Sequence, residues 1–312
     1  MLVRVTRRRA FEASHRYWLP DLSPAENQAL FGKCISPHGH GHNYVCDATI
    51  SGRLDPATGI VINVKDLDAV MIDLLAPLDH RFLNEEWTPL AGRQPTTEVL
   101  SSLLFDQLAT RVIGWPVRVE SLRLYETDDL WAETEAKPDA RGTGVSPMTD
   151  TIAKPSTAQV ARDETMTTTS LTRVYTFSAA HRLHNPGLND AENRALFGKC
   201  NNIHGHGHDY RLEVTVTVTG AVDARTGMIV DLGVLDRVVT ERIIERWDHR
   251  HLNLDVAEFA HLNPTSENVV RIAWDMLAPA VAPVRLSRLV LWETPKSSFE
   301  YRGPSDEDAP RG

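Results

Sequence analysis

Three histidines at alternate positions, His38, His40 and His42, follow Cys34 in FGKCISPHGHGHNY, and the arrangement recurs as His204, His206 and His208 after Cys200 in FGKCNNIHGHGHDY. In an extended strand, residues two apart point to one face, so a His-Gly-His triplet holds two imidazoles side by side. A strand presents a pair of metal ligands in this way. A third nitrogen is available from His15 and His181, near the end of the preceding strand, and three histidines with one open position describe a catalytic zinc site. The sets are His15, His40 and His42 in one copy and His181, His206 and His208 in the other, one Zn2+ each. Hydrogen-bonded loop histidines are the plain alternative, and retention of all three in both copies weighs against it. His38 and His204 could each open a triplet of their own and are read as structural or supporting.

Cys34 and Cys200 lie beside Lys33 and Lys199, where a positive neighbour would lower a thiol pKa and favour a thiolate base. A buried small hydrophobe is the other fate of a lone cysteine, and it suits Cys46, which sits within a strand and has no counterpart. The pairs Asp79-His80 and Asp248-His249 could be carboxylate-oriented imidazoles for proton transfer, or helix-end hydrogen bonds. Glu126 and Glu293, in YET and WET, could be exposed acidic steps or bidentate acceptors for an N–C–N edge of a heterocycle. Geometry alone favours neither.

What positions these groups is a duplicated unit. AFEASHRYWLPDLSPAENQALFGKC aligns with TFSAAHRLHNPGLNDAENRALFGKC, LDPATGIVINVKDLDAVM with VDARTGMIVDLGVLDRVV, LDHRFLN with WDHRHLN, PTTEVL with PTSENV and LRLYETD with LVLWETP. Constant order and spacing mean a repeated domain of about 130 residues. Alternation predicts strands in VRVTRRRAFEASH and HDYRLEVTVTVTG, and LDPATG and VDARTG read as hairpin turns into a third strand. Two helices follow; in the second copy they are LGVLDRVVTERIIERW and SENVVRIAWDMLA, the latter after a capping signal. A closing strand completes an α+β unit with helices on one face of an antiparallel sheet. The expected organisation is repeat one over 1–132, a flexible linker rich in Pro, Gly, Ser, Thr and charge over 133–170, repeat two over 171–303 and a disordered tail over 304–312.

The 312 residues carry a formal charge of −9, which argues against non-specific nucleic-acid binding while leaving room for a local basic pocket. No apolar run approaches the roughly 20 residues that cross a bilayer, and the N-terminal stretch lacks the apolar core of a secretory signal. Three cysteines do not make a disulfide framework. A cytoplasmic protein with reduced thiols, without membrane or nucleic-acid partners, is the expectation.

The signatures FEASH and FSAAH, LFGKC, HGHNY and HGHDY, LDH and WDH, PTSEN, and YET and WET, in this order, resemble the 6-pyruvoyltetrahydropterin synthase / 6-carboxytetrahydropterin synthase family over essentially all of both copies. The resemblance implies two tandem T-fold (tunnelling-fold) domains whose barrel is formed by oligomerisation, with active sites at subunit interfaces and 7,8-dihydroneopterin triphosphate as substrate. It also implies a homo-oligomer, a trimer of tandem chains, as two stacked barrels with one repeat type each or as rings mixing the repeats. By motif it makes the two histidine sets zinc ligands, Cys34 and Cys200 proton-abstracting thiols, and Asp79, His80, Asp248 and His249 a proton relay. Glu126 and Glu293 would anchor the pterin ring, with Glu98 and Glu267 lining its pocket. The expected product is 6-pyruvoyltetrahydropterin with release of triphosphate. In the 6-pyruvoyl branch five residues separate the cysteine from His-Gly-His, and in the 6-carboxy branch, on the queuosine route, three; HGHGH satisfies both. The rival from another class is a zinc-stabilised pterin-binding module without catalysis. Lys33, Lys199, Arg16 and Arg182 flank the motifs as candidates for the triphosphate. Two departures fall in the first copy: Val99 replaces the asparagine of TEN, and its closing strand lacks the YRG ending kept at Tyr301–Gly303.

Overall fold

The computed structural model describes residues 2–54, 58–137, 167–218 and 222–304. In the first repeat the alternating segments form β1 (Leu2–His15) and β2 (His40–Arg53), antiparallel, with His15 opposite His40 and Ala13 opposite His42. Between them lies α1 (Pro24–Phe31), a helix beyond the two expected, opened by a capping box in which Ser23 and Glu26 satisfy each other's backbone N–H groups. It runs into the 3-10 turn Gly32–Ile35, which carries Cys34. Buried Asn27 holds this excursion in place by exchanging hydrogen bonds with the Leu19 backbone, its Oδ1 accepting at 2.8 Å and its Nδ2 donating at 2.9 Å.

Among the described residues the expected hairpin into a third strand does not form. Thr58 and Gly59 turn the chain toward α2 (Val64–Leu75), capped by Asn63. In the second repeat the reason is visible: the Asp223 carboxylate accepts from Arg225 N, Thr226 N and Thr226 Oγ1, so the turn satisfies itself and needs no sheet partner. Then come β3 (Arg81–Phe82), α3 (Thr97–Arg111) capped by Thr96, and the hairpin β4 (Val117–Thr127) and β5 (Leu130–Ala136).

The second repeat runs β6 (Thr167–His181), α4 (Asp190–Phe197), β7 (His206–Thr217), α5 (Leu232–Val239), β8 (Arg250–His251), α6 (Ser266–Leu277), β9 (Arg285–Thr294) and β10 (Ser297–Tyr301). The helix expected over 232–247 is continuous to Trp247, through a π-helical turn at Thr240–Ile244. Each repeat has its own apolar core, with Leu67, Met71, Leu74 and Leu104 against Tyr44, Cys46, Ala48 and Ile50 in the first, and Leu235, Val239, Val269 and Leu277 against Tyr210, Leu212 and Val214 in the second. Cys46 is fully buried there, as a small hydrophobe.

Among the described residues the two repeats share one ten-stranded sheet, ordered β10-β9-β7-β6-β5-β4-β2-β1-β3, with β8 on β6. The long strands are antiparallel, and only the two-residue β3 and β8 run parallel to their neighbours. The joint is β5 on β6, from Leu130↔Arg173 to Ala136↔Thr167. Ala132 and Leu171 are buried at its centre, and Thr134 and Thr169 meet hydroxyl to hydroxyl at 3.2 Å. Both strands reach into the 133–170 span read as linker; 138–166 and 305–312 lie outside the described residues. Within one chain the repeats thus stand edge to edge in one sheet.

Candidate metal and pterin site

The β1–β2 register decides which histidines meet. His15 is fully buried, and its Nε2 lies 3.1 Å from Nε2 of His40. His42, two residues along the same face, brings its ring centroid to 5.2 Å from that of His15. The second repeat repeats the geometry, with His181 Nε2 3.1 Å from His206 Nε2 and ring centroids of His181 and His208 5.2 Å apart. His38 and His204 are exposed and outside both clusters. Gly39 is required by this approach: its φ is +73°, and a Cβ there would come within 2.8 Å of the His15 carbonyl oxygen.

Three features fit these clusters to a zinc ion. The Nδ1 of His15 faces the Pro95 carbonyl at 3.1 Å, and that of His181 faces the Pro264 carbonyl at 2.8 Å, so Nδ1 carries the proton and Nε2 presents its lone pair inward. Nε2 of His42 and of His208 is buried without a hydrogen-bond partner. Burial, with the neighbouring imidazoles adding to it, pushes His15 down to about 3. Burial likewise takes His181 down to about 4, so the buried histidine of each set is neutral and able to donate to a metal.

Glu126 joins the first cluster. Its Oε1 is 3.3 Å from His42 Nε2, and its other oxygen accepts from the Thr97 hydroxyl. Burial raises its pKa, opposed first by that hydroxyl. Glu98, on the first turn of α3, is 4% exposed and pushed up to about 7 by burial. In the second repeat Glu293 stands 3.7 Å from His208 Nε2 and accepts from Ser266 Oγ at 2.8 Å, while Glu267 is exposed.

The cysteines correct one sequence expectation. Lys33 is exposed and does not set the Cys34 thiol, which burial and the charge of Glu126 push up to about 11. Desolvation outweighs the adjacent cation because the ammonium stays in water. The Asp-His pairs stand elsewhere, at the outer edges of β1 and β6. Asp79 Oδ1 accepts from Glu12 N at 3.0 Å and lies 3.1 Å from His80 Nδ1; Asp248 Oδ1 accepts from Ser178 N at 2.7 Å, with Oδ2 2.9 Å from His249 Nδ1. The imidazoles of His80 and His249 are largely exposed. Among the described residues no hydrogen bond or ion pair connects either dyad with Cys34 or Cys200.

Sequence reading missed the contribution of one repeat to the other. Ile229 N donates to Glu98 Oε1 at 3.1 Å and Thr96 Oγ1 donates to the Gly227 carbonyl at 2.6 Å. Met228 packs against the cluster of Tyr17, Leu19 and Phe31, on which Cys34 also packs. Tyr17, Leu183 in the other copy, also hydrogen-bonds Glu126. One sequence signal was Val99 in place of the asparagine, and Val99 is among the residues that Gly227 abuts.

Comparison with known proteins places this geometry. The chain is 47% identical over 135 residues to the 6-pyruvoyl tetrahydrobiopterin synthase of Drosophila melanogaster, covering 43% of this chain and 79% of that one. It is 43% identical over 127 residues to the human protein of the same name, covering 40% and 86%. The solved 6-pyruvoyl tetrahydropterin synthase of Caenorhabditis elegans aligns over 43% of this chain and 95% of its own at 42% identity, with a TM-score of 0.41. The family model for 6-pyruvoyl tetrahydropterin synthase matches twice, over residues 4–137 and 170–304. The chain therefore belongs to the 6-pyruvoyl tetrahydropterin synthase family, as a tandem of two T-fold domains.

Proposed function

We propose that the chain is a carbon–oxygen lyase that converts 7,8-dihydroneopterin triphosphate to 6-pyruvoyltetrahydropterin and releases triphosphate. The observation that carries this reading is the histidine register. His40 and His42 join His15 while His38 stays outside, so five residues separate Cys34 from the first triplet ligand, and the second repeat agrees. That spacing belongs to the 6-pyruvoyl branch of the resemblance, and the homologues named above bear the same activity in their names.

His15, His40 and His42, and His181, His206 and His208, would hold one zinc ion per repeat. Zinc supplies Lewis-acid polarisation of the substrate's side-chain oxygens, which acidifies the adjacent C–H. Cys34 and Cys200 take the proton; because the Cys34 thiol is neutral in the free chain, its basic form is drawn out only in the filled site. Glu126 and Glu293 accept from the pterin N–C–N edge, with Glu98 and Glu267 beside them. Arg16, Arg182, Lys33 and Lys199 face the anionic chain of the substrate. The dyads Asp79-His80 and Asp248-His249, exposed at strand edges, relay the proton once another copy packs over them. No external redox cofactor is required, since oxidation of the side chain balances reduction of the ring. The working form is a cytoplasmic homo-oligomer, a trimer of tandem chains that completes a barrel. Supporting a water-exposed setting, no helix of the described residues is long and apolar enough to cross a membrane.

Mass spectrometry of the products formed by zinc-loaded protein tests this. A 6-pyruvoyl product is expected. A 6-carboxy product with acetaldehyde would move the enzyme to the queuosine-type branch, and absence of turnover would leave a pterin-binding module.

A further inference from the structure

Tyr17 is a buried polar side chain that the proposed reaction does not use. It stands two residues beyond the metal ligand His15 and is 9% exposed. Its ring centroid lies 4.9 Å from that of His15 and 5.7 Å, edge on, from that of Phe31, and its phenol donates to the Glu126 carboxylate. A buried phenol needs such a partner, so the hydroxyl turns away from the carboxylate only at a desolvation cost. The second repeat carries Leu183 at this position, in the same backbone frame: Tyr17 N donates to the Cys34 carbonyl and Leu183 N to the Cys200 carbonyl, each at 2.9 Å. The copies therefore differ here in the side chain and not in its placement.

The exchange changes how the acid of each site is held. An ionised carboxylate has roughly four acceptor positions on its two oxygens. Glu126, 7% exposed, gives two of them to hydroxyls, one from Thr97 on α3 and one from Tyr17 on the chain after β1. Those left over suffice for the bidentate pair that an N–C–N edge makes. Donors from two separate elements fix both the position and the plane of the carboxylate before a ligand arrives. Among the described residues Glu293 has one hydroxyl donor, Ser266 of α6 at 2.8 Å, and its side chain is 22% exposed. It keeps rotamer freedom and solvent contact that ligand binding must remove.

We infer that Tyr17 is a positioning residue of the first site, and that the exchange of Tyr17 for Leu183 gives one chain two pterin sites of unequal affinity, the first the tighter. Tyr17 acts through Glu126 rather than on the ring. Taking a pterin as the ring that both glutamates receive rests on the proposed function. The low end of what a hydrogen bond to a charged group contributes corresponds to about tenfold in affinity.

Fluorescence titration of the zinc-loaded full chain with neopterin, which lacks the triphosphate, reads the ring sites alone. Two classes of site about tenfold apart in Kd are expected; a single class, or no binding, overturns the inference. Tyr17→Phe keeps the ring packing and removes the hydroxyl, so the tighter class should weaken about tenfold and merge with the other while zinc content stays at the parent level. Persistence of the tighter class overturns the role of Tyr17. Turnover separates positioning from proton transfer. In a chain whose second site is disabled by Cys200→Ala, Tyr17→Phe should raise KM for 7,8-dihydroneopterin triphosphate about tenfold and lower kcat no more than about twofold; a loss of kcat at unchanged KM overturns the positioning role. Two neopterin classes that respond to Tyr17→Phe in a chain that turns over no substrate would refute the reaction and leave the inequality of the sites standing.

Discussion

The backbone N–H of Ile229 donates to Glu98 Oε1 at 3.1 Å, across a separation of 131 residues and from one repeat to the other. This bond ties the buried acid of the first α3 turn to a segment of the second repeat, where Ile229 also packs into that repeat's own core. Glu98 is thereby held in a pocket from which water is excluded, and its counterpart Glu267 is not. Duplicated sequence has produced two unequal environments.

That inequality has a pH signature. The folded pKa of Glu98, about 7, exceeds its ordinary 4.5, so the folded chain binds this proton more tightly than the unfolded one. The sign follows: its stabilising effect is full below about pH 4.5, is lost as pH rises to 7 and is constant above. The loss amounts to at most about 3 kcal/mol. Urea midpoints at pH 5 and pH 7.5 should differ less in Glu98→Gln than in the parent chain.

Metal content separates the two histidine sets. The parent chain should hold about two zinc ions, His40→Ala or His206→Ala about one, and the double variant none, because a tetrahedral site with three protein ligands does not survive the loss of one. Elemental analysis after dialysis reads this directly. Full zinc content in both single variants would show that the clusters are not the sites.

Thiol chemistry should follow burial rather than the neighbouring lysine. In metal-free protein, alkylation of Cys34 by iodoacetamide should rise about tenfold per pH unit between pH 8 and 10, since only the thiolate reacts. Lys33→Ala should leave that profile in place, because the ammonium is solvated and desolvation of the thiol dominates. Peptide mass spectrometry assigns the alkylated cysteine.

Gly227→Ala should loosen the joint between repeats. The residue has φ +71°, and a Cβ there would stand 2.9 Å from Val99 Cγ2 and 3.0 Å from Thr96 Oγ1. Backbone strain and the clash together should cost about 2–3 kcal/mol. A fall in the unfolding midpoint without loss of zinc would locate the damage at the joint rather than in the histidine clusters.

Much of the site was legible because strand alternation is a local rule. His40 and His42 share a face whatever the rest of the chain does, and the repeat shows which first-strand histidine accompanies them. The choice between the two overlapping triplets was not local. It required the antiparallel register that sets His15 opposite His40 and leaves His38 in the preceding turn. The short helix at Pro24–Phe31 lies outside the two-helix order that periodicity predicts, and its local signal is the capping box of Ser23 and Glu26.

By itself, the sequence determined the duplication, the α+β order of each unit and the histidines that share a strand face, and its motifs carried the resemblance to the family. Periodicity and spacing act between near neighbours in the chain. Tertiary structure alone decided that the repeats share one sheet, that Met228 and Ile229 of the second repeat meet the Tyr17 cluster and Glu98 of the first, and that the Cys34 thiol is neutral. Those outcomes depend on which surfaces lose water when distant segments pack, a property of the folded arrangement that no local pattern encodes.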